Sequence, residues 1–317
     1  WFLKMERLAN ATLGALEKGQ TNIVPENFAA PYKAWLENTR DWCVSRQLWW
    51  GHRLPVWLCN KGKDDDYVVA KEKPATCPFC KECDMAQTED VCDTWFSSAL
   101  WPFAGLSESD IKRFYPSQVL ITARDIINLW VGRMVFSGLE FMRGVPFKDV
   151  FIHATVLTKD GKRMSKSLGT GIDPLTLVEK YGADATRFGI VWQAMGTQDI
   201  RFDEAAVVAG RKFANKIYNA ARFVMSRVGT APSTAIDMSK ASAADVLVLG
   251  RADAAKKAVE MHLAAYEFGQ ALHALYDFFW HDYCDVYIEE AKNNHKTIKQ
   301  FQFEIKGSIS DGTTFAG

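Results

Sequence analysis

The chain has 317 residues, of which 48% are hydrophobic, with 38 basic and 38 acidic side chains. This length and hydrophobicity are enough for a sizeable core and about two domains, which excludes a disordered or collagen-like chain. The formal net charge of zero excludes a uniformly basic nucleic-acid binder, so any nucleic-acid surface must be a local patch.

The start of the chain, its apolar stretches and its cysteines are typical of a cytoplasmic protein. The chain opens on Trp1 without a signal peptide, and we interpret it as a fragment of a longer protein. The longest apolar stretch, residues 126–142, is interrupted by Arg133 and Glu140 and is too short for a bilayer span of roughly 20 residues. Seven cysteines, an odd number, do not suggest a disulfide framework. We therefore expect a soluble, cytoplasmic protein without a membrane segment.

The first part of the chain predicts a helix and then a cysteine-rich module. Apolar residues recur at helical spacing from Trp1 onward, Phe2 among them, and Gly19 supplies the helix end. Residues 59–83 are polar and lysine-rich, with a knuckle-like Cys-Pro-Phe-Cys core suited to zinc thiolates. The candidate zinc ligands are Cys59, Cys77, Cys80 and Cys83. A degenerated, metal-free loop is the alternative.

The middle of the chain has the pattern of an α/β fold. Residues 119–122 form a short apolar, β-branched run, and residues 126–139 follow with helical spacing. A second strand-like apolar run spans residues 147–157. Two strands joined by a helix predict a parallel sheet whose ligands bind beyond the carboxyl ends of the strands.

Beyond about residue 199 the pattern becomes all-α. Long segments with helical periodicity are predicted at 203–228, 242–266 and 269–292. The punctuating residues are the expected N-caps Asp203 and Ser242 and the expected joins Gly229 and Gly269. The last segment buries one face, and its expected members are Leu272, Leu275, Phe279, Tyr283 and Val286. We predict two domains, 1–198 and 199–292, and a poorly ordered tail at 293–317.

The loop at 159–169 is the most informative stretch, because its sequence is Lys-Asp-Gly-Lys-Arg-Met-Ser-Lys-Ser-Leu-Gly. Cations, hydroxyls and glycines suit a loop that closes over a polyphosphate, since lysine can follow a departing pyrophosphate while glycine amides allow close approach. A solvated surface loop would explain the cations alone.

Residues 163–167, Arg-Met-Ser-Lys-Ser, resemble the KMSKS signature of class I aminoacyl-tRNA synthetases, with Arg163 in place of the first lysine. Residues 181–188 resemble the segment that joins this loop to the helical domain in that class. Trp-Trp-Gly-His at 49–52 and the Asp-Thr-Trp-Phe-Ser-Ser stretch from Asp93 resemble the valine branch; the isoleucine and leucine branches are the alternatives. The resemblance implies the second half of a Rossmann-like α/β catalytic domain, followed by an α-helical bundle that binds the anticodon.

The resemblance also implies a reaction, in which ATP and Mg²⁺ activate valine as an adenylate before transfer to tRNA. Lys166, the motif's second lysine, is the principal catalytic candidate, together with Arg163. The loop residues expected to bind ATP are Lys162, Arg163, Met164, Ser165, Lys166 and Ser167. Asp125 and His153, beside strand ends, are further ATP-binding candidates. A helix cap and a structural histidine are the respective alternatives.

Trp95, Ile126 and Trp130 match positions that line the valine pocket in the family. Spacing alone would place Ile126 and Trp130 in the core, because aromatic stripes at helical intervals usually face inward. Ala123 and Ala154 stand where the family commonly has glycine, which alters backbone access to ATP. The His-Ile-Gly-His signature and the editing insertion are absent from the sequence. We therefore expect that this chain alone does not form valyl-adenylate.

The first predicted helix of the bundle carries a stripe of basic residues, and no acidic residue lies between them in the sequence. These are Arg211, Lys212, Lys216, Arg222 and Arg227. Solvated helix cations are the plain explanation, and the resemblance favours tRNA contact instead.

We expect a monomer whose partners are a valine-specific tRNA, ATP and L-valine. The alternative from another functional class is a catalytically inactive fragment that binds tRNA.

Overall fold

The computed structural model describes residues 1–63, 65–82, 84–165, 169–196, 198–228 and 238–292. The chain divides into two compact units, of which the first is Trp1–His153 and the second begins at Ala154. This division lies before the boundary predicted at 198/199, which stays a prediction. The tail at 293–317 lies outside the described residues. In the described ranges, no helix has both the length and the hydrophobicity that a membrane crossing requires.

The first unit combines short strands with helices. Its strands are β1 (Phe2–Leu3), β2 (Asn22–Val24), β3 (Trp42–Cys43), β4 (Ser45–Arg46), β5 (Val56–Leu58), β6 (Tyr67–Val69), β7 (Ala86–Gln87), β8 (Val91–Cys92), β9 (Ser117–Thr122) and β10 (Phe147–Ile152). Its α-helices are α1 (Glu6–Glu17), α2 (Ala29–Glu37), α3 (Thr94–Ser98), α4 (Trp101–Ala104), α5 (Glu108–Phe114) and α6 (Gly132–Ser137). Single 3-10 turns lie at Glu26–Phe28 and Arg124–Ile126, and π-helical turns at Ile127–Val131 and Gly138–Met142.

A parallel sheet organises this unit, as the sequence predicted. β10 lies between β2 and β9 and pairs with both in parallel. Helices α1, α2 and α6 cover it through a core of apolar side chains. The buried members are Ala9, Ile23, Tyr32, Leu36, Leu120, Ile127, Val131, Met134, Val135, Phe147, Val150 and Ile152. Removing this surface from water is the main favourable term that holds the sheet against its helices.

The first helix begins later than predicted. Phe2 and Leu3 form β1, which pairs antiparallel with Cys43 and Trp42 of β3, and Phe2 remains 70% exposed. The backbone hydrogen bonds of this pair compete with the helical pattern, so α1 starts only at Glu6. Its end is as predicted, because Gly19 has φ +63°, a conformation that glycine adopts without strain.

The apolar run at 147–157 is two strands rather than one. β10 ends at Ile152, and the next amide, that of His153, donates to Thr122 O at 3.0 Å. The amide of Thr155 instead donates to Asp199 Oδ1 at 3.0 Å, after which β11 (Val156–Leu157) pairs in parallel with β12 (Ile200–Arg201). A change of hydrogen-bonding partner breaks the run, which hydrophobicity alone does not reveal.

The second unit is helical after its short strand pair, as predicted. Its helices are α7 (Pro174–Tyr181), α8 (Ala183–Trp192), α9 (Glu204–Val228), α10 (Ala243–Ala264), α11 (Phe268–Asp277) and α12 (Glu289–Ala291), with a 3-10 turn at Met238–Lys240 and a π-helical segment at Phe278–Ile288. Ser242 is the predicted N-cap of α10, and it forms a reciprocal capping box with Asp245. Asp203 caps α9, since its Oδ1 accepts from the Ala205 amide at 3.1 Å.

Gly269 was predicted as a join between helices, and this is wrong. It lies in the first turn of α11, where a Cβ atom would come within 2.3 Å of Ala194 O. Its role is therefore close packing, and the chain reverses at Tyr266, which has φ +59°. The other predicted join, Gly229, lies outside the described residues.

The buried face of the last helical segment also differs from the prediction. Leu275 and Val286 are 44% and 49% exposed, whereas Tyr287 and Ile288 are buried. Residues 278–288 are π-helical, so each turn is wider than an α-helical turn and the buried face shifts from Val286 to Tyr287 and Ile288. Leu275 precedes this segment, in α11. The Tyr287 hydroxyl donates to buried Asp245 at 2.7 Å, which ties this segment to the start of α10.

Candidate functional site

The carboxyl edge of the parallel sheet carries two of the predicted ATP-binding residues. His153 follows the last residue of β10, and Asp125 lies in the 3-10 turn immediately after β9. Both side chains are exposed. Because ligands of open α/β sheets bind beyond the carboxyl strand ends, both positions suit contact with a nucleotide.

The three predicted pocket residues lie on α3 and on the turns that follow β9, and α3 packs against the turn that carries Trp130. Trp95 lies in the first turn of α3, and Trp130 lies in the π-helical turn after Ile126. The indole Nε1 of Trp130 donates to Ser98 O at 3.1 Å, so it contacts the last turn of α3. Trp95, Ile126 and Trp130 are all half-buried, whereas Ile127 and Val131 occupy the core. The three predicted residues therefore lie at the border of the core rather than inside it.

Sequence reasoning missed a polar cluster around Asp93, the N-cap of α3. Asp93 is only 5% exposed at the N-terminus of α3, and it lies 3.8 Å from Arg133 across a buried ion pair. A signal for it existed, because Arg133 interrupts an apolar stretch and a charge in such a stretch usually has a partner. The partner's identity did not follow from the sequence.

In the second unit, the residues before the signature form a tight hairpin turn. Thr158 N–H donates to Lys162 O at 2.8 Å, and Leu157 pairs with Arg163 as an antiparallel bridge. Gly161 has φ +77°, which favours glycine at this turn. Lys162 and Arg163 are exposed, so their cationic groups are accessible to a phosphate.

A second pair of hydrogen bonds joins Ser165 of the signature to Thr170. The Ser165 amide donates to Thr170 Oγ1 at 3.0 Å, and the Thr170 amide donates to Ser165 O at 3.1 Å. Thr170 was not predicted, and it joins Ser165, the middle residue of the signature, to the chain three residues beyond the signature. Lys166 and Ser167 lie between them, outside the described residues.

Met164 is half-buried, unlike its exposed neighbours Lys162 and Arg163. It packs on a cluster whose buried members are Leu177, Ala185, Phe202 and Val207. Its side chain therefore anchors the loop, so a contribution from Met164 to ATP binding would come from its backbone. The sequence pattern did not distinguish an anchoring residue from a binding residue in this loop.

Three of the predicted zinc ligands come together in the first unit. The sulfur atoms of Cys59, Cys77 and Cys80 all lie within 4.8 Å of one another. They sit against a small antiparallel sheet in which β5 pairs with β6 and β7. Cys83 lies outside the described residues. A group of convergent thiols is the donor set that Zn²⁺ prefers in structural sites.

The basic stripe on α9 is less uniform in space than in sequence. Arg211 and Lys212 are exposed, but Lys216 Nζ pairs with Asp285 at 2.7 Å and lies over the Trp280 ring. This hydrogen bond raises the pKa of Lys216 above its ordinary value and keeps it charged while neutralising it locally. Arg222 packs over Tyr218, with its guanidinium carbon 5.6 Å from the ring centre.

A groove of about 520 Å³ runs beside this stripe within the second unit. Its lining is Ala205, Val208, Ala209, Lys212, Tyr276 and Trp280. The combination of aromatic faces with an exposed lysine suits a nucleobase and its phosphate, because bases stack on aromatic rings and phosphates pair with cations.

Comparison with protein families identifies both parts of the chain. Residues 1–203 match the family of tRNA synthetases class I (I, L, M and V), and residues 245–306 match the anticodon-binding domain of tRNA ligase. The valine–tRNA ligase of Carboxydothermus hydrogenoformans is 44% identical over 296 residues, and that of Clostridium tetani is 45% identical over 298 residues. Each alignment covers 92% of this chain and 34% of the relative, so the chain spans about a third of their length.

Solved structures share the fold at low sequence identity. The ternary complex of Agrobacterium radiobacter LeuRS with tRNA and LeuAMS has a TM-score of 0.68 at 18% identity, covering 82% of this chain and 37% of that one. Mycobacterium tuberculosis methionyl-tRNA synthetase bound by methionyl-adenylate has a TM-score of 0.67 at 19% identity, covering 94% of this chain and 56% of that one. At this identity the likeness concerns the fold.

Proposed function

Because the chain belongs to the class I tRNA synthetase family (I, L, M and V), we propose that it is part of an enzyme that ligates valine to its tRNA. The observation that carries this proposal is the 44% identity with a valine–tRNA ligase across 92% of the chain. The half-buried walls formed by Trp95, Ile126 and Trp130 give it a physical basis, since they suit a small apolar side chain.

The proposed reaction needs positioning and charge stabilisation rather than a covalent enzyme intermediate. The valine carboxylate attacks the α-phosphorus of ATP, and the bond to pyrophosphate breaks as the adenylate forms. Negative charge grows on phosphate oxygens, so cations already in place lower the barrier. In this proposal Lys162, Arg163 and Lys166 hold the leaving pyrophosphate, and Ser165 and Ser167 donate hydrogen bonds to it.

Magnesium ion would shield the phosphate charges and orient them when it is bound with ATP. The described part of the loop carries three cations, Lys159, Lys162 and Arg163, against one carboxylate, Asp160, so its charge suits the phosphates rather than the metal. In this proposal, Asp125 and His153 contact the nucleoside at the carboxyl edge of the sheet.

The amino-acid specificity is tested by ATP–pyrophosphate exchange with the complete gene product that contains this chain. Valine is expected to support the fastest exchange, with isoleucine excluded by size. Threonine, which has nearly the same shape, is expected to be discriminated by only about a hundredfold in an apolar pocket. Faster exchange with isoleucine or leucine would contradict the assignment of the pocket. No exchange with any amino acid would favour a tRNA-binding fragment without catalysis.

We further propose that α9 and the groove beside it bind tRNA. Replacing Lys212 with glutamate is expected to weaken tRNA binding about tenfold, because one phosphate contact is replaced by a repulsion. Lys216 is expected to contribute less, since Asp285 already pairs with it. Filter binding at fixed salt measures the affinity, and Lys256→Glu on the exposed face of α10 is the matched control. Equal affinity of Lys212→Glu and the unchanged protein would rule out this surface.

The cysteine cluster is proposed to hold one Zn²⁺ through Cys59, Cys77, Cys80 and Cys83. Metal analysis of the purified protein is expected to find equimolar zinc, and Cys77→Ser is expected to lose it and to lower the melting temperature, because thiolate ligation stabilises the fold. Cys43→Ser, outside the cluster, should retain the metal. Metal-free protein with intact thiols would exclude the site.

A further inference from the structure

Asp93 forms the centre of a buried ionic cluster in the first unit. Its Oδ2 accepts hydrogen bonds from Trp42 Nε1 at 3.0 Å and from Arg46 Nη2 at 2.9 Å. The same oxygen lies 3.8 Å from Arg133 Nη1. The Asp93 and Arg133 side chains are only 7% and 11% exposed. Buried charges of this kind persist when they are paired, and removing one partner leaves the other uncompensated.

The cluster is connected to both aromatic walls of the proposed amino-acid pocket. Asp93 Oδ1 accepts from the Trp95 amide at 3.4 Å, as the N-cap of α3. Arg133 lies one helical turn beyond Trp130, at the start of α6. At the other end of α3, Ser98 O accepts from Trp130 Nε1. The short helix that carries Trp95 is therefore held at both ends against the segment that carries Trp130.

Arg133 depends on Asp93 for its charge to be tolerated. Burial lowers the pKa of the Arg133 guanidinium, and the Asp93 carboxylate opposes this shift. The guanidinium carbon lies 3.8 Å from the centre of the Trp42 ring, a cation–π contact. Within the described residues, Arg133 Nη1 makes no hydrogen bond. Without the Asp93 charge, Arg133 would have to move toward solvent, and α6 and Trp130 would be disturbed with it.

We propose that Asp93 is a positioning residue for amino-acid selection. Through α3 on one side and Arg133 on the other, it sets the spacing between Trp95 and Trp130. That spacing determines which aliphatic side chain the pocket admits. Asp93 itself is not expected to touch the substrate, because its side chain is only 7% exposed and its Oδ2 already accepts from Trp42 and Arg46. This inference rests on the proposed function of the pocket, and it adds a residue that the pocket positions themselves do not include.

Asp93→Asn isolates the charge, because asparagine keeps the shape and still caps a helix. With valine and isoleucine compared in ATP–pyrophosphate exchange by the complete gene product, the variant is expected to lose about tenfold in discrimination. A single methylene in an apolar pocket accounts for roughly 10- to 200-fold, so a displaced wall forfeits part of it. KM for valine should rise while KM for ATP stays constant. The matched control is Asp90→Asn, three residues earlier, whose carboxylate accepts from Gln47 near the surface.

A second, independent test compares the single variants of Asp93 and Arg133 with the double variant. Arg133→Met should also weaken discrimination, and combining it with Asp93→Asn should cost less than the sum of the two, since both act through one ion pair. Additive effects would overturn the link through Arg133. A lower kcat with unchanged discrimination and unchanged KM for valine would reduce Asp93 to a structural role and overturn the proposal.

Failure of the proposed function would be recognised separately, in the unchanged protein. If that protein does not prefer valine, the function is wrong whatever Asp93→Asn does. Hydrogen–deuterium exchange then tests the positioning directly, through the deuterium uptake measured in peptides that cover residues 94–98. Uptake is expected to rise in Asp93→Asn and not in Asp90→Asn, and equal uptake in both would overturn the positioning role.

Discussion

Replacing Lys166 with alanine is expected to lower valine-dependent ATP–pyrophosphate exchange by about 10²- to 10³-fold, the usual effect of removing one group that stabilises charge in a transition state. The charge that develops on the leaving pyrophosphate is met by the second lysine of the signature, in our proposal. Because this interaction strengthens as the bond breaks, the loss should fall mainly on kcat. Steady-state exchange with the complete gene product, at varied ATP, measures both parameters.

Lys159→Ala is the matched control for that experiment. Lys159 belongs to the same cationic loop and is exposed, but it lies in the turn before the signature. Its removal is expected to change exchange by less than about threefold, since an exposed cation outside the site contributes little. Equal losses in the two variants would mean that the loop acts through its total charge, and that Lys166 has no special position.

Gly189→Ala is expected to lower the free energy of unfolding of the second unit by about 1–3 kcal/mol, the usual cost of overpacking. Gly189 lies in α8, and a Cβ atom there would approach the Val207 backbone nitrogen and Cα of α9 to 2.7 Å. Gly210 faces the same crossing, where a Cβ atom would lie 2.8 Å from Ala185 O. Backbone atoms cannot rotate away, so the helices would have to separate.

Gly250→Ala, in the same unit, is expected to change the free energy of unfolding in the opposite direction. Gly250 lies inside α10, it is exposed, and no atom lies within 4 Å of the position of a Cβ. Alanine there should raise the free energy of unfolding by about 0.5–1 kcal/mol, because glycine loses more backbone entropy in a helix. Urea unfolding followed by circular dichroism compares the two variants. A stabilised or unchanged Gly189→Ala would show that the crossing of α8 and α9 is more adaptable than the structure indicates.

The different fates of Gly189, Gly250 and Gly269 show why sequence reasoning reaches only part of the fold. Of the three, only Gly269 was assigned a role from the sequence, as a join between helices. In the structure, Gly269 and Gly189 allow close contact with another backbone, while Gly250 contacts nothing. The space around a residue depends on segments far away in the chain, which the local pattern does not contain.

The sequence by itself determined the features that depend on neighbours along the chain. The bundle helices, the N-caps Asp203 and Ser242 and the helix end at Gly19 follow from periodicity and from local hydrogen bonds. The order strand, helix, strand predicted the parallel pairing of β9 and β10. The signature at 163–167 also identified the family before any geometry was considered, because its meaning lies in the order of its residues.

Only the tertiary structure decided which of the predicted side chains are exposed to solvent and which are paired with another residue. Lys216 meets Asp285 across 69 positions, Arg46 meets Asp93 across 47, and Trp130 meets Ser98 across 32. Such pairs form because folding brings distant segments together. Where the pair is partly buried, as at Asp93, the lower local dielectric also strengthens the interaction. A linear pattern records the charge of Arg133 and the bulk of Trp130, and packing alone assigns their partners.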